Sequence, residues 1–389
     1  MIATPLALHS PGALREALHQ HGWEEGLAAA AAGGIHPIAI HLTGLDTSAL
    51  EALVPFAGGL GLEVVTGPTW AVLAGSRSRM SAFARPWTVP EALSEAALAV
   101  GLALPAEPAQ VWQTARGAVP LDRPVLMGIL NVTPDSFSDG GRYAALDPAL
   151  AHADRLVEQG AAIVDVGGES TRPGRESPVP LEEELRRVVP VVEALVRARP
   201  SLLISVDTVK AEVARAALGA GAAIVNDVTA FRLDPELAQV AARARAGVVL
   251  MHSRGNLLEI ASYAHAEYEA GVVSGVLGEL REAIASAGAA GIPPDSIAVD
   301  PGLGFAKTVE QNLALFDQLA ALQALGRPLV VGPSRKRFLG AVTGLGVEER
   351  DRATAAACAL AWERGARVFR VHDVAAAREA LALAAAVAP

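Results

Sequence analysis

"LLISVDTVKAEVARAALGAGAAIVNDV", residues 202–228, reads as one strand–helix–strand unit. An apolar run ends on Asp207, an amphipathic segment follows, and a second apolar run ends on Asn226 and Asp227. Apolar runs without polar alternation are strands buried on both faces, and strands joined through a helix lie parallel. The same rhythm recurs on both sides of this unit. Upstream lie "PVLMGILN" (124–131) and "AAIVDVGGES" (161–170). Downstream lie "GVVLMHS" (247–253), "SIAVDPG" (296–302), "PLVVGPS" (328–334) and "ARVFRVHD" (366–373). Helical spacing fills the gaps, as in "LEEELRRVVPVVEALVRAR" (181–199). Eight such units over roughly 250 residues match a (β/α)8 TIM barrel. An open doubly wound sheet is the runner-up, but its G-x-G-x-x-G fingerprint is missing after the first strand.

The first 110 residues carry a different pattern. "HPIAIHL" (36–42), "LEVVTG" (62–67) and "TWAVLAG" (69–75) are expected strands, while "TSALEALVPFA" (47–57) and "VPEALSEAALAVGLAL" (89–104) are expected helices. With "PAEPAQ" (105–110) as linker, the expected organisation is a small N-terminal α/β domain over 1–110 and a barrel over 111–389. Five of the nine histidines, His9, His19, His21, His36 and His41, fall in this first part at spacings that fit no zinc motif. No function is assigned to it.

Composition narrows the function classes. A hydrophobic share of 51% is ample for a core. Cys358 is the single cysteine, which excludes an internal disulfide and a multi-cysteine zinc site. The net charge of -10 argues against a general nucleic-acid binder. No apolar run of about 18 residues predicts a membrane span. "MIATPLALHSPG" lacks a basic segment leading into an apolar one, so a cytoplasmic protein is expected. Of the 32 basic residues only three are lysines, Lys210, Lys307 and Lys336, and each lies just past an expected strand end.

Barrel chemistry collects where strands end. Those ends carry Asn131; Asp165 with Glu169, Ser170, Thr171 and Arg172; Asp207; Asn226 and Asp227; Met251 and His252; Asp300; Ser334, Arg335 and Lys336; and Arg370, His372 and Asp373. Helix capping alone would explain a single Asp, Asn, Ser or Thr. It does not explain added Lys, Arg and His. Two or three acids and an amide suit the N–H edge of a flat heterocycle, as in base-edge recognition. A lysine can donate to ring acceptors, and Arg370 with His372 can take a phosphate or diphosphate. Asn131 offers one oxygen to Mg2+, an ion that commonly keeps water and substrate oxygens. The polar stretch "NVTPDSFSDGG" (131–141) can close over such a ligand, although Asp135 and Asp139 equally suit turns.

These motifs resemble those of the dihydropteroate synthase family. The resemblance rests on "MGILNVTPDSFSDGG" (127–141), "DVGGESTRPG" (165–174), "ISVDTVK" (204–210), "IVNDV" (224–228), "DPGLGFAKT" (300–308), "GPSRKRF" (332–338) and "RVHDV" (370–374). It implies a barrel enzyme that joins 4-aminobenzoate to 7,8-dihydropterin-6-ylmethyl diphosphate. By the same resemblance, Asp207, Asn226, Asp300 and Lys336 hold the pterin, with Met251 packing on it or serving as core. Asn131 ligates Mg2+, and Arg370, His372 and Thr171 meet the diphosphate. Thr171, Arg172, Pro173, Phe305 and Ser334 shape the aminobenzoate site. Lys336, Asp300 and Arg370 carry the catalysis. A homodimer through barrel helices and a sulfonamide target are implied as well.

Asp165 is expected to orient other groups. Lys210 is either a solvated first-turn residue or a site member, and Lys307 is expected to be peripheral. Two stretches depart from the family pattern: "SRGNLLEIAS" (253–262) after the fifth strand, and Arg337 where some members have Ser. Two other functions share the barrel. One is a pterin-binding methyltransferase domain passing a methyl group from methyltetrahydrofolate to a corrinoid. The other is a barrel that has lost catalysis and serves as a scaffold. The first has no need of the "STRPG", "SRK" and "NVTPDSF" segments present here, and the second would be favoured by substituted Asn131, Lys336 or Arg370, none of which is substituted.

Overall fold

The computed structural model describes residues 37–106, 108–132, 146–169 and 177–387. The chain forms two compact units, Met1–Ala106 and Glu107–Val387. In the first, strands β1 (Pro37–Thr43), β2 (Glu63–Thr66) and β3 (Trp70–Ser76) form an antiparallel sheet in the order β1-β3-β2. Helices α1 (Thr47–Gly59), α2 (Arg77–Phe83) and α3 (Ser94–Ala103) bury Leu53, Met80, Phe83 and Val100 with Leu73 of the sheet. Asp46 starts α1 by accepting from the Ala49 amide at 2.7 Å. The helix expected from Val89 begins five residues later. Pro90 sits extended with ψ 148°, so only short 3-10 turns at Pro86–Thr88 and Glu91–Leu93 precede α3.

The second unit opens with a hairpin that the sequence pattern did not reveal, β4 (Val111–Thr114) and β5 (Gly117–Pro120). Eight parallel strands follow: β6 (Val125–Asn131), β7 (Ile163–Gly167), β8 (Leu203–Asp207), β9 (Ile224–Asp227), β10 (Gly247–Met251), β11 (Ile297–Asp300), β12 (Leu329–Val331) and β13 (Ala366–Val371). They close on themselves through β13 beside β6, so no barrel strand is left at an edge. Helices α4 (Leu146–Glu158), α5 (Leu181–Ala198), α6 (Ala211–Gly219), α7 (Glu236–Ala244), α8 (Val272–Ala289) and α9 (Val309–Asp317) lie outside the first strands. Helices α10 (Arg337–Thr343), α11 (Asp351–Glu363) and α12 (Val374–Val387) complete the ring. The structure therefore has the (β/α)8 barrel and the preceding small α/β unit expected from the sequence.

Alternation along the strands sorts the side chains. Leu126, Leu130, Val164, Val166, Ile204, Val206, Val225, Leu250, Val299 and Phe369 face outward into the helix layer. Met127, Ile163, Ile224, Val249, Ala298, Val330 and Val368 face inward. Both sets are apolar, which explains the continuous apolar runs. One step further along the inward set come Asn131, Asp165, Ser205, Asp207, Asn226, Met251, Asp300 and Arg370. The barrel interior is thus apolar at one end and polar at the other.

The hairpin plugs the apolar end. Trp112 is fully buried among the inward residues, and its indole N–H donates to the Ser296 carbonyl at 2.9 Å. Gly247 leaves room for it, since a Cβ there would lie 3.0 Å from the Gln113 carbonyl. Arg116 ties the turn to the carbonyls of Pro200 and Gly221. Large-to-small changes at buried aromatics cost about 3–5 kcal/mol. Trp112→Ala is therefore expected to lower the urea midpoint by that much stability, and Trp112→Phe by clearly less. An unchanged midpoint for the alanine variant would remove the plug from the barrel's stability.

Candidate active site

The polar end of the barrel is organised around one guanidinium. Arg370, inward on β13, donates from Nε to Asp165 Oδ2 at 2.6 Å and from Nη2 to Asp207 Oδ2 at 2.5 Å. Asp165 Oδ2 also accepts from Asn226 Nδ2 at 3.0 Å. A planar fork suits two carboxylates at fixed separation, as a lysine point charge would not. Asp165 is fully buried, and its Oδ1 has no hydrogen-bond partner among the described residues. Asp207 is pushed up to about 7, chiefly by burial, against the pull of Arg370 and with Asp165 adding repulsion.

Asp300 lies at the end of β11, in register with Met251 of β10. Its Oδ1 accepts the Gly302 amide at 2.7 Å, and its Oδ2 lies by Gly332 and Arg370. Burial raises it to about 6, opposed by the Gly302 hydrogen bond, Lys336, Arg370 and Lys307. Gly302 has φ +66°, and a Cβ there would meet the His252 carbonyl oxygen at 1.9 Å, so only glycine fits this turn. Gly304 serves differently. A Cβ on it would press on the Lys336 side chain at 2.8 Å, so its bareness is the passage for that lysine. Lys336 reaches in with Nζ 3.6 Å from the centre of the Phe305 ring. Burial lowers it to about 7, Arg370 adds to the effect, and Asp300 and Asp207 oppose it. Met251 and Phe305 form an apolar wall with Val209, Val228, Ile260 and Ala261.

At the neighbouring ends of β12 and β13, Ser334 Oγ and His372 Nδ1 lie 2.9 Å apart, and the His372 amide also donates to Ser334 Oγ. Contacts thus join Asp207 and Asp165 through Arg370 and Asn226 through Asp165, group Met251 with Phe305, place Lys336 on that ring, and pair Ser334 with His372. Thr171, Arg172 and Pro173 lie outside the described residues, as do Asp135 and Asp139 of the opening loop.

Several neighbouring residues take other parts. Asp227 is one step out of phase with Asn226, and it accepts from the Thr229 amide and hydroxyl and the Phe231 amide, so it shapes its own loop. Arg335, at φ +58°, turns to Asp351 and Glu348. Lys210 is bound to Glu169, Glu184 and the Val179 carbonyl, so the solvated alternative does not hold. Arg337 donates to the Ala261 carbonyl and stacks on Tyr263, so the two departures from the family pattern touch each other. Lys307, expected at the periphery, is 1% exposed. Asp165 plays a larger part than the sequence suggested. The available signal was its parity with Asp207 across neighbouring inward positions of β7 and β8.

Among the described residues no three His, Cys, Asp or Glu side chains cluster as a metal cage. Asn131 Oδ1 instead borders a space left by Gly167, where a Cβ would lie 3.7 Å from it and 3.6 Å from Asp207 Oδ2. One amide oxygen fits a divalent ion only if substrate oxygens and water supply the other ligands.

The chain matches the family model described as "Pterin binding enzyme" over residues 127–372. It is 45% identical over 260 residues to the dihydropteroate synthase of Synechocystis, covering 65% of this chain and 86% of that protein. It is 47% identical over 262 residues to that of Mycobacterium leprae, covering 66% and 90%. The solved structure of Xanthomonas albilineans dihydropteroate synthase with 4-aminobenzoic acid superposes with a TM-score of 0.66 at 46% identity, covering 72% of this chain and 98% of that one. The Yersinia pestis synthase with a sulfonamide drug complex gives a TM-score of 0.65 at 39% identity, covering 71% and 98%.

Removing one partner of a buried ion pair costs about 3–5 kcal/mol, because the remaining charge is left uncompensated. Arg370→Met strands two carboxylates, so urea unfolding is expected to show a loss of that size. The deficit should be largest at pH 8 and should shrink as pH falls through about 7, where Asp207 takes up a proton. A deficit independent of pH would mean that packing, not charge, is what Arg370 supplies.

Proposed function

The chain belongs to the dihydropteroate synthases of the pterin binding enzyme family, and on that premise we propose how its own residues carry out the transfer of folate biosynthesis. The substrates are 7,8-dihydropterin-6-ylmethyl diphosphate and 4-aminobenzoate, and the products are 7,8-dihydropteroate and diphosphate. The observation that carries the site assignment is the convergence of Asp165, Asp207, Asn226, Asp300, Lys336 and Arg370 at one end of the barrel.

The pterin enters edge first. Asp207, Asn226 and Asp300 meet its N–H and amino groups, and Lys336 donates to a ring acceptor. Met251 and Phe305 face its flat surface. The C–O bond of the methylene carbon breaks and its electron pair leaves with diphosphate. Positive charge then spreads into the electron-rich ring, where the surrounding carboxylates stabilise it. Arg370 has Nε and Nη2 committed to Asp165 and Asp207, which leaves Nη1 to meet the diphosphate beside His372. The aminobenzoate nitrogen forms the new C–N bond. It is already neutral at pH 7, and it sheds its proton after attack, so no strong base is needed. Thr171, Arg172, Pro173, Phe305 and Ser334 flank the aminobenzoate, the first three by family motif alone. Mg2+ would be held by Asn131 Oδ1 with diphosphate oxygens, where it would neutralise charge on the leaving group.

Three finer points belong to the same proposal. Sulfonamides compete for the aminobenzoate position, in keeping with the sulfonamide drug complex of the Yersinia pestis synthase. The protein is a homodimer through barrel helices, in keeping with the exposed Leu360 on α11 and Leu383 and Val387 on α12. It works in the cytoplasm, and among the described residues no helix is long and apolar enough to cross a membrane.

Purified protein with Mg2+ is expected to release diphosphate only when both substrates are present. Methyl transfer to a corrinoid, with no diphosphate release, would replace this reading by the methyltransferase one. Lys336→Ala is expected to lower kcat/KM by about 10²–10³-fold with unchanged circular dichroism; near-normal turnover would remove Lys336 from the site. Asp300 holds a ring N–H more strongly as a carboxylate than as a neutral acid, and burial raises its pKa to about 6. The kcat/KM for the pterin substrate is therefore expected to fall as pH drops through that value. A flat profile from pH 8 to pH 5 would exclude Asp300 as an acceptor.

A further inference from the structure

Among the described residues Lys307 is the largest fully buried charged side chain, and the transfer just described does not use it. Its Nζ has three partners, the His252 imidazole Nδ1 at 2.9 Å and the carbonyls of Phe305 and Gly302 at 3.0 and 3.1 Å. An ammonium has three protons and no acceptor, so these three match it fully. Nδ1 must then accept, which puts the imidazole proton on Nε2. That nitrogen lies 3.1 Å from Glu279 Oε2, without the alignment of a hydrogen bond. Arg254 pairs with Glu279 from the other side and stacks 4.0 Å over Tyr268. Burial and Lys307 together hold His252 neutral, at about 4.

The two carbonyls that Lys307 grips bracket the turn that builds the pterin pocket. Gly302 donates its amide to Asp300, and Phe305 lies beneath Lys336. The charged groups around Lys307 are Asp300, Glu279, Arg254 and Lys336, with His252 as its neutral neighbour.

We propose that Lys307 is a positioning residue for the pterin pocket: its ammonium staples the 302–305 turn that fixes Asp300 and Phe305, and His252 is its anchor. The proposal rests on the synthase reading above. Losing the staple frees the turn and removes one positive neighbour of Asp300. The pterin side of the reaction should suffer more than the aminobenzoate side, which draws only Phe305 from this turn.

The test compares full-length wild type with Lys307→Met. Measured quantities are the Kd for 6-hydroxymethyl-7,8-dihydropterin by calorimetry, KM for each substrate, and the pH profile of kcat/KM. The expected result is a pterin Kd and KM weakened about 10-fold or more, as for loss of a buried charged hydrogen bond. The aminobenzoate KM should rise less than the pterin KM, and the acid limb should move to higher pH because Asp300 ionises less easily. A folded variant with unchanged pterin Kd and unchanged acid limb overturns the proposal. If Lys307→Met fails to fold, His252→Asn and His252→Leu decide the matter. The asparagine oxygen can still accept from Lys307 and the leucine cannot, so pterin binding should weaken only in the second; equal affinities overturn the staple. A wild type that binds the pterin without turnover sinks the synthase reading alone, and the Kd comparison still tests Lys307.

Discussion

Two carboxylates held by one guanidinium inside a closed barrel set the terms for the rest of the site. Asp165, buried, and Asp207, largely so, stand on adjacent strands. Unpaired, two such carboxylates would be costly, because a buried charge is tolerated only when another charge or a set of dipoles meets it. Arg370 reaches them from β13 on the other side of β6, and Asn226 completes the arrangement. Three further polar groups gather near that fork: Asp300 beside Gly332 and Arg370, Lys336 over Phe305, and Asn131 across from Asp207. The pocket is set in place before any substrate arrives, which is the condition for dipoles and charges to favour a transition state.

The barrel divides its work between two ends. Inward residues near the strand starts are apolar and packed under Trp112, while inward residues near the strand ends are polar. A closed sheet this narrow cannot leave its interior empty. The hairpin fills one end with a large aromatic whose single polar atom finds the Ser296 carbonyl. The other end gathers the polar groups of the site.

Lysine usage follows the same economy of roles. Arginines serve where two acceptors must be bridged, as at Arg370, Arg335 and Arg254. The three lysines sit where a compact charge must meet acceptors in three directions or pass a narrow gap. Lys307 satisfies one imidazole and two carbonyls, Lys210 two carboxylates and a carbonyl, and Lys336 slips past Gly304. A planar fork could not be accommodated in any of the three.

Read alone, the amino-acid order determined the eight-strand rhythm, the barrel, the family and the residues gathered at the strand ends, because apolar period and local chemistry are written residue by residue. Strand-end position alone could not tell Asn226 from Asp227, and only the family motif chose Asn226, since an inward and an outward position differ by one step and only closure of the sheet defines the inside. The hairpin under Trp112 stayed hidden because two four-residue strands carry too little pattern and gain their stability from a distant floor. Asp165 and Lys307 were undervalued for a related reason. Their roles are set by partners as far away as 205 and 55 positions along the chain. Such distances become contacts of under 3 Å only after folding brings the strand ends together.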